Sequence, residues 1–249
     1  MHSKLKKHEA PNCENCTERG SSIFCDLHAT DLNKLSEHKA YNTYKKGQSI
    51  FLEGNQPQGL FCIYSGKVKI HKFGDDGKEQ IVRFARKGNV LGYRALLSGG
   101  AYFATATALE ETTVCFFPKA IYMQVLLANP DLCLQTIKLL ASDLKMAEHL
   151  MTNMAQKHVR ERIAEALILL IEYYGLEDDN VTINTILTRE DIGNMVGTTT
   201  ETSIRVLSDF NKEKIIRLAG KRIGILNLEQ LEKVANVSLK PNSDQKPNK

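Results

Sequence analysis

Apolar residues between positions 40 and 118 come in short runs, parted every few residues by glycine and polar clusters. Tyr44-Lys-Lys-Gly-Gln-Ser-Ile-Phe-Leu-Glu-Gly54 and Gly59-Leu-Phe-Cys-Ile-Tyr-Ser-Gly-Lys-Val-Lys-Ile-His71 predict short strands. Phe73-Gly-Asp-Asp-Gly-Lys-Glu-Gln-Ile-Val-Arg-Phe84 adds a hairpin signal. Many short strands in near-regular succession predict a small β-barrel or roll. Beyond Pro130 the period changes. Ile137, Leu140, Leu144, Ala147, Met151 and Met154 recur at intervals of 3, 4, 3, 4 and 3 along a long helix. Such a stripe serves either a seam between two copies of the helix or the packing of one amphipathic helix on the roll; the strict heptad favours the seam. Val159 to Tyr174 predicts a further helix ending at Gly175, and the acidic loop Leu-Glu-Asp-Asp-Asn follows.

From Leu187 to Phe210 the pattern is that of two short helices about a sharp turn. Thr188 with Asp191 has capping-box spacing, so a helix begins near Arg189 and buries Ile192 and Val196. Gly197 supplies the turn, and Thr198 with Glu201 repeats the capping spacing. Ser203, Val206, Leu207 and Phe210 then form an inner face, while Glu201, Arg205, Ser208 and Lys212 form one solvent stripe with Thr200 and Ile204 beside it. A helix presenting Arg and Glu one turn apart suits the major groove of DNA. Arg donates two bonds to guanine O6 and N7, and Glu accepts from cytosine N4. The plainer reading is an exposed Glu–Arg pair of the kind common on any helix. Ile215–Leu218 and Ile223–Leu226 are two β-prone runs with Gly220-Lys221-Arg222 between them, a hairpin whose basic tip can lie along phosphates. Helix, turn, helix and basic hairpin in that order predict a winged-helix DNA-binding module.

Composition narrows the rest. With 249 residues there is room for two domains, and a net charge of +4 means that any DNA-binding charge is local. No run of apolar residues is long enough to span a membrane, and the segment from Met1 to His8 lacks a signal-peptide core. The expectation is a cytoplasmic chain, with no membrane partner, whose six cysteines are largely reduced. The polar, Lys- and Pro-bearing ends, 1–12 and 238–249, are expected to be disordered tails.

The Gly-Gln-Ser-Ile-Phe-Leu-Glu-Gly and Ser-Gly-Lys-Val-Lys-Ile motifs resemble the cyclic-nucleotide-binding β-roll. Joined to a C-terminal winged helix, they resemble the Crp/Fnr family of bacterial transcription regulators over about residues 13 to 236. The resemblance implies an α+β fold: a sensor domain at 13–129, a dimerisation helix at 130–157 and a winged-helix domain at 158–237. It also implies a homodimer joined through the long helix, reading a near-palindromic DNA site, with no enzymatic activity and with RNA polymerase as a partner if the protein activates. The DNA-contacting set is then Thr198, Thr199, Thr200, Glu201, Ile204, Arg205, Ser208, Lys221 and Arg222, with Thr200, Glu201 and Arg205 at base-reading positions.

In members that bind cyclic AMP, a Glu holds the ribose and an Arg the phosphate. Tyr93 and Tyr102 stand at the matching positions, and neither carries a charge for a phosphodiester. Arg94 is one residue out of register, pointing to the other face of a strand, so cyclic AMP is not the expected ligand. Cysteines offer another signal. Cys13-x2-Cys16-x8-Cys25 precedes the roll and Cys115 lies at its end, a layout similar to the oxygen-sensing Fnr branch with its [4Fe–4S] cluster, though the eight-residue gap is wider than in the best-known members. The candidate ligands are Cys13, Cys16, Cys25 and Cys115, and Cys62 and Cys133 are read as structural. Four alternatives stay open: zinc on Cys13, Cys16, Cys25 and His28; a thiol switch between Cys13 and Cys16; cysteines that are merely buried; and a small molecule such as haem or a nucleotide in the roll. A thiol–disulfide enzyme is the remote alternative, because the βαβ context of a thioredoxin-type motif is missing.

Overall fold

A computed structural model describes residues 12–237; apart from Asn12, the tails expected at 1–12 and 238–249 lie outside the described residues. The chain divides by its contacts into two compact units; the division falls within the long helix, after Met146, and Gly74–Gln80 is grouped with the second unit.

In the first unit a chain of tight turns leads into α1 (Ala29–His38) and then into eight strands: β1 (Ala40–Tyr44), β2 (Ser49–Phe51), β3 (Gly59–Ser65), β4 (Lys67–Phe73), β5 (Glu79–Arg86), β6 (Val90–Leu91), β7 (Thr105–Ala108) and β8 (Thr112–Pro118). They form two four-stranded sheets, ordered β1-β8-β3-β6 and β2-β7-β4-β5, which is the roll that the glycine-punctuated runs predict. Period-two alternation sorts β3 and β8 between two cores. Phe61, Ile63 and Val114 face the inside of the roll with Val68, Leu91, Tyr102 and Ala106. Leu60, Cys115 and Phe117 face the other way, onto a core shared with Phe24, Leu32 and Leu35 from the N-terminal segment. Between β6 and β7 lies α2 (Tyr93–Ser98), so the segment expected as strand is a helix, and the strand argument about Arg94 does not apply.

After β8 come α3 (Lys119–Ala128) and the long α4 (Pro130–Gln156). Asn129 caps α4, its Oδ1 accepting from Leu132 N at 3.0 Å, and Pro130 occupies a first-turn position that needs no N–H donor. Leu132, Leu139 and Leu140 of α4 join the core beneath Cys115. Ile137, Leu144, Met151 and Met154 on its heptad stripe are exposed, as is Ala147, whereas Leu140 is half-buried.

The second unit holds α5 (Val159–Tyr174), α6 (Arg189–Val196), α7 (Thr200–Lys212), the hairpin β9 (Ile216–Ala219) and β10 (Arg222–Ile225), and α8 (Leu228–Ala235). Ile163, Leu167, Ile192, Leu207, Phe210, Ile216 and Leu231 form its core. Glu165 of α5 is buried in the same unit. Its carboxylate accepts from His149 Nε2 at 2.6 Å, Asn153 Nδ2 at 2.8 Å and Lys157 Nζ at 2.8 Å, and Lys157 also donates to the Ala235 carbonyl. This network ties the end of α4 to α5 and α8, and no sequence pattern announced it.

Candidate DNA interface and cysteine site

The helix–turn–helix is built by side chains that satisfy helix ends. Thr188 Oγ1 accepts from Asp191 N at 2.9 Å while an Asp191 carboxylate oxygen accepts from Thr188 N, the reciprocal box expected from the spacing. Gly197 closes α6 with a left-handed φ of +67°. Gly193 packs closely against the turn, since a Cβ there would stand 3.1 Å from the Thr198 carbonyl oxygen and 3.3 Å from that of Thr199. The second helix starts one residue later than the Thr198 spacing predicts. Thr199 is its N-cap, its Oγ1 accepting from Thr202 N at 3.2 Å, while Thr198 remains in the turn with its N–H donating to the Gly193 carbonyl.

On α7, Ser203, Val206, Leu207 and Phe210 are buried as the inner face requires. Glu201, Ile204 and Arg205 are exposed, and Thr200 and Ser208 lie half-exposed beside them; Thr198 is half-exposed and Thr199 exposed in the preceding turn. Among the described residues no ion pair joins Glu201 to Arg205, so the plainer pairing is not what occupies Arg205. Hydrogen bonds from the Glu201 backbone and the Thr199 side chain hold the Glu201 carboxyl below its ordinary pKa, keeping it an acceptor. The wing is shifted from its predicted form by one residue on each strand, to Ile216–Ala219 and Arg222–Ile225. Ala219 pairs with Arg222, so the turn is Gly220-Lys221 alone and Arg222 lies on β10. Its guanidinium is bonded to the Glu177 carboxylate, and Arg217 lies 3.6 Å from Asp179. The acidic loop after α5 thus neutralises part of the wing. Asp179, held by hydrogen bonds from Thr182 and Val181 and by Arg217, has its pKa lowered to about 2. Lys221 is exposed at the tip with no carboxylate partner among the described residues.

In the roll, Tyr102 and Tyr93 fill space rather than frame a charged ligand. Tyr102 is 6% exposed and stacks on Phe51 with ring centroids 4.0 Å apart, and burial pushes its pKa up to about 12. Tyr93 is fully buried, and its hydroxyl donates to Asp143 of α4 while accepting from Arg83 at 2.7 Å. Arg94 also turns to Asp143, at 2.7 Å.

The cysteines are partly redistributed relative to expectation. Cys13, Cys16 and Cys115 line one depression with Arg19, Phe24, Lys39 and Phe117, and Cys62 lines it with them. Cys62 and Cys115 are direct partners across β3 and β8. Cys25 is not among the lining residues. Its neighbour Phe24 is buried against Phe117, rings 5.4 Å apart, which leaves Cys25 half-exposed in the turn beside Asp26. Lys39 Nζ donates to Cys13 Sγ at 3.4 Å. Burial pushes the Cys115 thiol up to about 11, with Lys39 opposing the rise, and drives Cys62 further in the same direction. His28 caps α1 away from the depression, and among the described residues no three Cys, His, Asp or Glu side chains stand close enough to hold a single ion. A compact zinc site on Cys13, Cys16, Cys25 and His28 is therefore not assembled. Sulfurs that each bind a different iron of a cluster stand further apart than ligands of one ion, and a set of cysteine sulfurs, with Lys39, Arg19 and Glu18 in the same lining, fits such a group. Cys133 lies on α4, where its thiol donates to the Leu126 carbonyl at 3.0 Å.

Residues 41–129 match the cyclic nucleotide-binding domain family, and residues 161–234 match the Crp-like helix-turn-helix domain. The chain is 30% identical over 233 residues to the fumarate and nitrate reduction regulatory protein of Vibrio cholerae, covering 92% of each chain. It is 27% identical over 240 residues to the transcriptional activator protein Anr of Pseudomonas protegens, covering 95% of this chain and 97% of that one. Its fold is similar to that of FixK2 from Bradyrhizobium japonicum, with a TM-score of 0.70 at 24% identity over 79% of this chain and 96% of the other. No helix among the described residues is long and apolar enough to cross a membrane.

Proposed function

The chain belongs to the Crp/Fnr family and is a DNA-binding transcription regulator, not an enzyme; from that premise we propose that it is gated by oxygen or redox state through an iron–sulfur cluster held in the cysteine depression. The observation that carries this reading is the convergence of Cys13, Cys16 and Cys115, from segments about a hundred residues apart, on one depression with Lys39. Four thiolates around such a cluster leave net negative charge, which Lys39 and Arg19 offset against Glu18 in the same lining. When bound, the cluster supplies a redox-active, oxygen-labile group.

The chain's own residues connect that place to the rest of the molecule. Cys115 shares its core with Leu132, Leu139 and Leu140 on α4, so rearrangement of the N-terminal segment over Cys115 bears directly on the helix with the heptad stripe. The stripe of Ile137, Leu140, Leu144, Ala147, Met151 and Met154 is the proposed seam of a homodimer, and its exposed members gain from burial against a second copy. The dimer would present two copies of α7 to a near-palindromic site. Thr200, Glu201 and Arg205 read bases there, Ile204 offers an apolar surface, and Thr198, Thr199, Ser208 and Lys221 lie toward the backbone, with Arg222 available once released from Glu177. Activation, as in the relative named an activator, would add RNA polymerase as a partner. The proposed working site is the cytoplasm.

The test is purification without oxygen, followed by visible absorption, iron and sulfide assays, and DNA binding before and after exposure to air. A coloured protein carrying iron and sulfide, whose DNA affinity changes on exposure, is expected. A colourless, iron-free preparation that binds DNA equally well in both states refutes the gating and leaves the DNA-binding assignment standing.

A further inference from the structure

The thiol that completes the depression is not the one expected. Along β3, Phe61 and Ile63 point into the roll, so Leu60, Cys62 and Tyr64 point to the opposite face. Along β8, Val114 points into the roll, so Cys115 and Phe117 share that opposite face. The register sets Cys62 directly across from Cys115. Residues so paired on one face of antiparallel strands have Cβ atoms about 5 Å apart, so two sulfurs enter the depression from adjacent strands. The N-terminal segment brings Cys13 and Cys16 over the same place. The Cys13 amide is held by Ser36 Oγ of α1 at 3.3 Å and its sulfur by Lys39.

Cys25 is fixed elsewhere from both sides. Phe24 is locked into the core against Phe117, and the carboxylate of Asp26 accepts from Gln135 Nε2 of α4 at 2.9 Å. Delivering Cys25 to the depression requires Phe24 to leave its place in the core, or the turn from Ser22 to Leu27 to unwind. Cys62 requires no backbone movement.

We infer that Cys62, together with Cys13, Cys16 and Cys115, supplies the fourth thiolate of the site and that Cys25 is not a ligand. The assignment rests on the cluster reading above and adds its geometry: two ligands on paired strands of the roll and two on the turns that precede it. Gain or loss of the cluster then acts between that N-terminal segment and a rigid sheet.

The experiment compares full-length wild type, Cys25→Ala and Cys62→Ala, all prepared without oxygen, by iron and sulfide content, visible absorption and electron paramagnetic resonance of the reduced state. Cys25→Ala is expected to match wild type in all three, and Cys62→Ala to lose most of its iron. A loaded Cys62→Ala variant beside an empty Cys25→Ala variant overturns the assignment but leaves the cluster standing, whereas iron-free wild type overturns the cluster reading itself. Labelling decides the matter if Cys62→Ala misfolds or both variants come out empty. Wild type is treated anaerobically with iodoacetamide before and after a chelator removes iron, and the sites are mapped by mass spectrometry. Cys25 is expected to react at the same rate in both states while Cys62 becomes more reactive on iron removal; protection of Cys25 by the loaded site overturns the proposal.

Discussion

Replacing Glu165 with alanine should destabilise the DNA-binding unit by an amount the structure bounds. The side chain is 6% exposed and accepts three hydrogen bonds, from Lys157, His149 and Asn153. Removing one partner of a fully buried ion pair costs about 3–5 kcal/mol. Here the Lys157 side chain is 17% exposed and keeps the Ala235 carbonyl, and His149 is 46% exposed, so both regain some hydration. The expected loss is therefore about 2–3 kcal/mol, near the value of one or two charge-assisted hydrogen bonds. Its pH dependence gives a second reading. Desolvation alone would raise the Glu165 pKa, but the bonds from Lys157, His149 and Asn153 outweigh it and hold the carboxyl below its ordinary value. A carboxyl depressed in the folded state contributes stability above its unfolded pKa of about 4.3, and that contribution is lost as pH falls through the folded value. Urea unfolding followed by circular dichroism should show the full difference between wild type and variant at neutral pH and a shrinking one below about pH 4. Equal midpoints at neutral pH, or a gap unchanged down to about pH 3, would refute the reasoning.

Arg205→Ala should cost about 1–3 kcal/mol per half-site and erase a guanine preference at one position in selections on randomised DNA; an even loss of affinity with the preferred sequence intact would make Arg205 a phosphate clamp. Lys221→Ala should weaken all sequences alike and lower the salt slope by about 0.9 per protomer. Arg222→Ala should do less because Glu177 already holds Arg222, and equal salt slopes for the two variants would contradict the neutralised wing. Cyclic AMP should not alter DNA binding, since Tyr102 is stacked on Phe51 and Tyr93 is spent on Asp143 and Arg83; micromolar binding by calorimetry with a matching change in DNA affinity would reverse that expectation.

Periodicity and helix-end chemistry carried most of the fold. The Thr188–Asp191 box, the turn at Gly197 and the inner face of α7 are local properties, fixed by residues within a turn of one another, and they hold in the structure. Thr199 displaced Thr198 as the cap because two adjacent threonines offer the same side chain. Which of them caps depends on the path of the turn, which here keeps Thr198 outside the helix with its N–H on the Gly193 carbonyl. Sequence alone places Arg222 at the wing tip for a similar reason. A basic pair after glycine fixes the turn only to within a residue, and Glu177, forty-five positions away, is invisible to any local pattern.

The cysteines mark the boundary of what sequence alone can yield. Alternation along β3 already separates Cys62 from Phe61 and Ile63, so its exclusion from the roll interior was legible. Which residue of β8 it would face was not, because register between strands fifty residues apart follows from the packing of both sheets. The layout resembling the Fnr branch points to Cys25 despite its wider gap, yet a layout along the chain measures chain length and not direction. A neighbour as large as Phe24 decides direction, because burying its ring against Phe117 is worth about 2–3 kcal/mol and that placement leaves the adjacent thiol in the turn. Residues that converge on a site from separate elements are recognised by the face they share, and here that face joins Cys62 to Cys115.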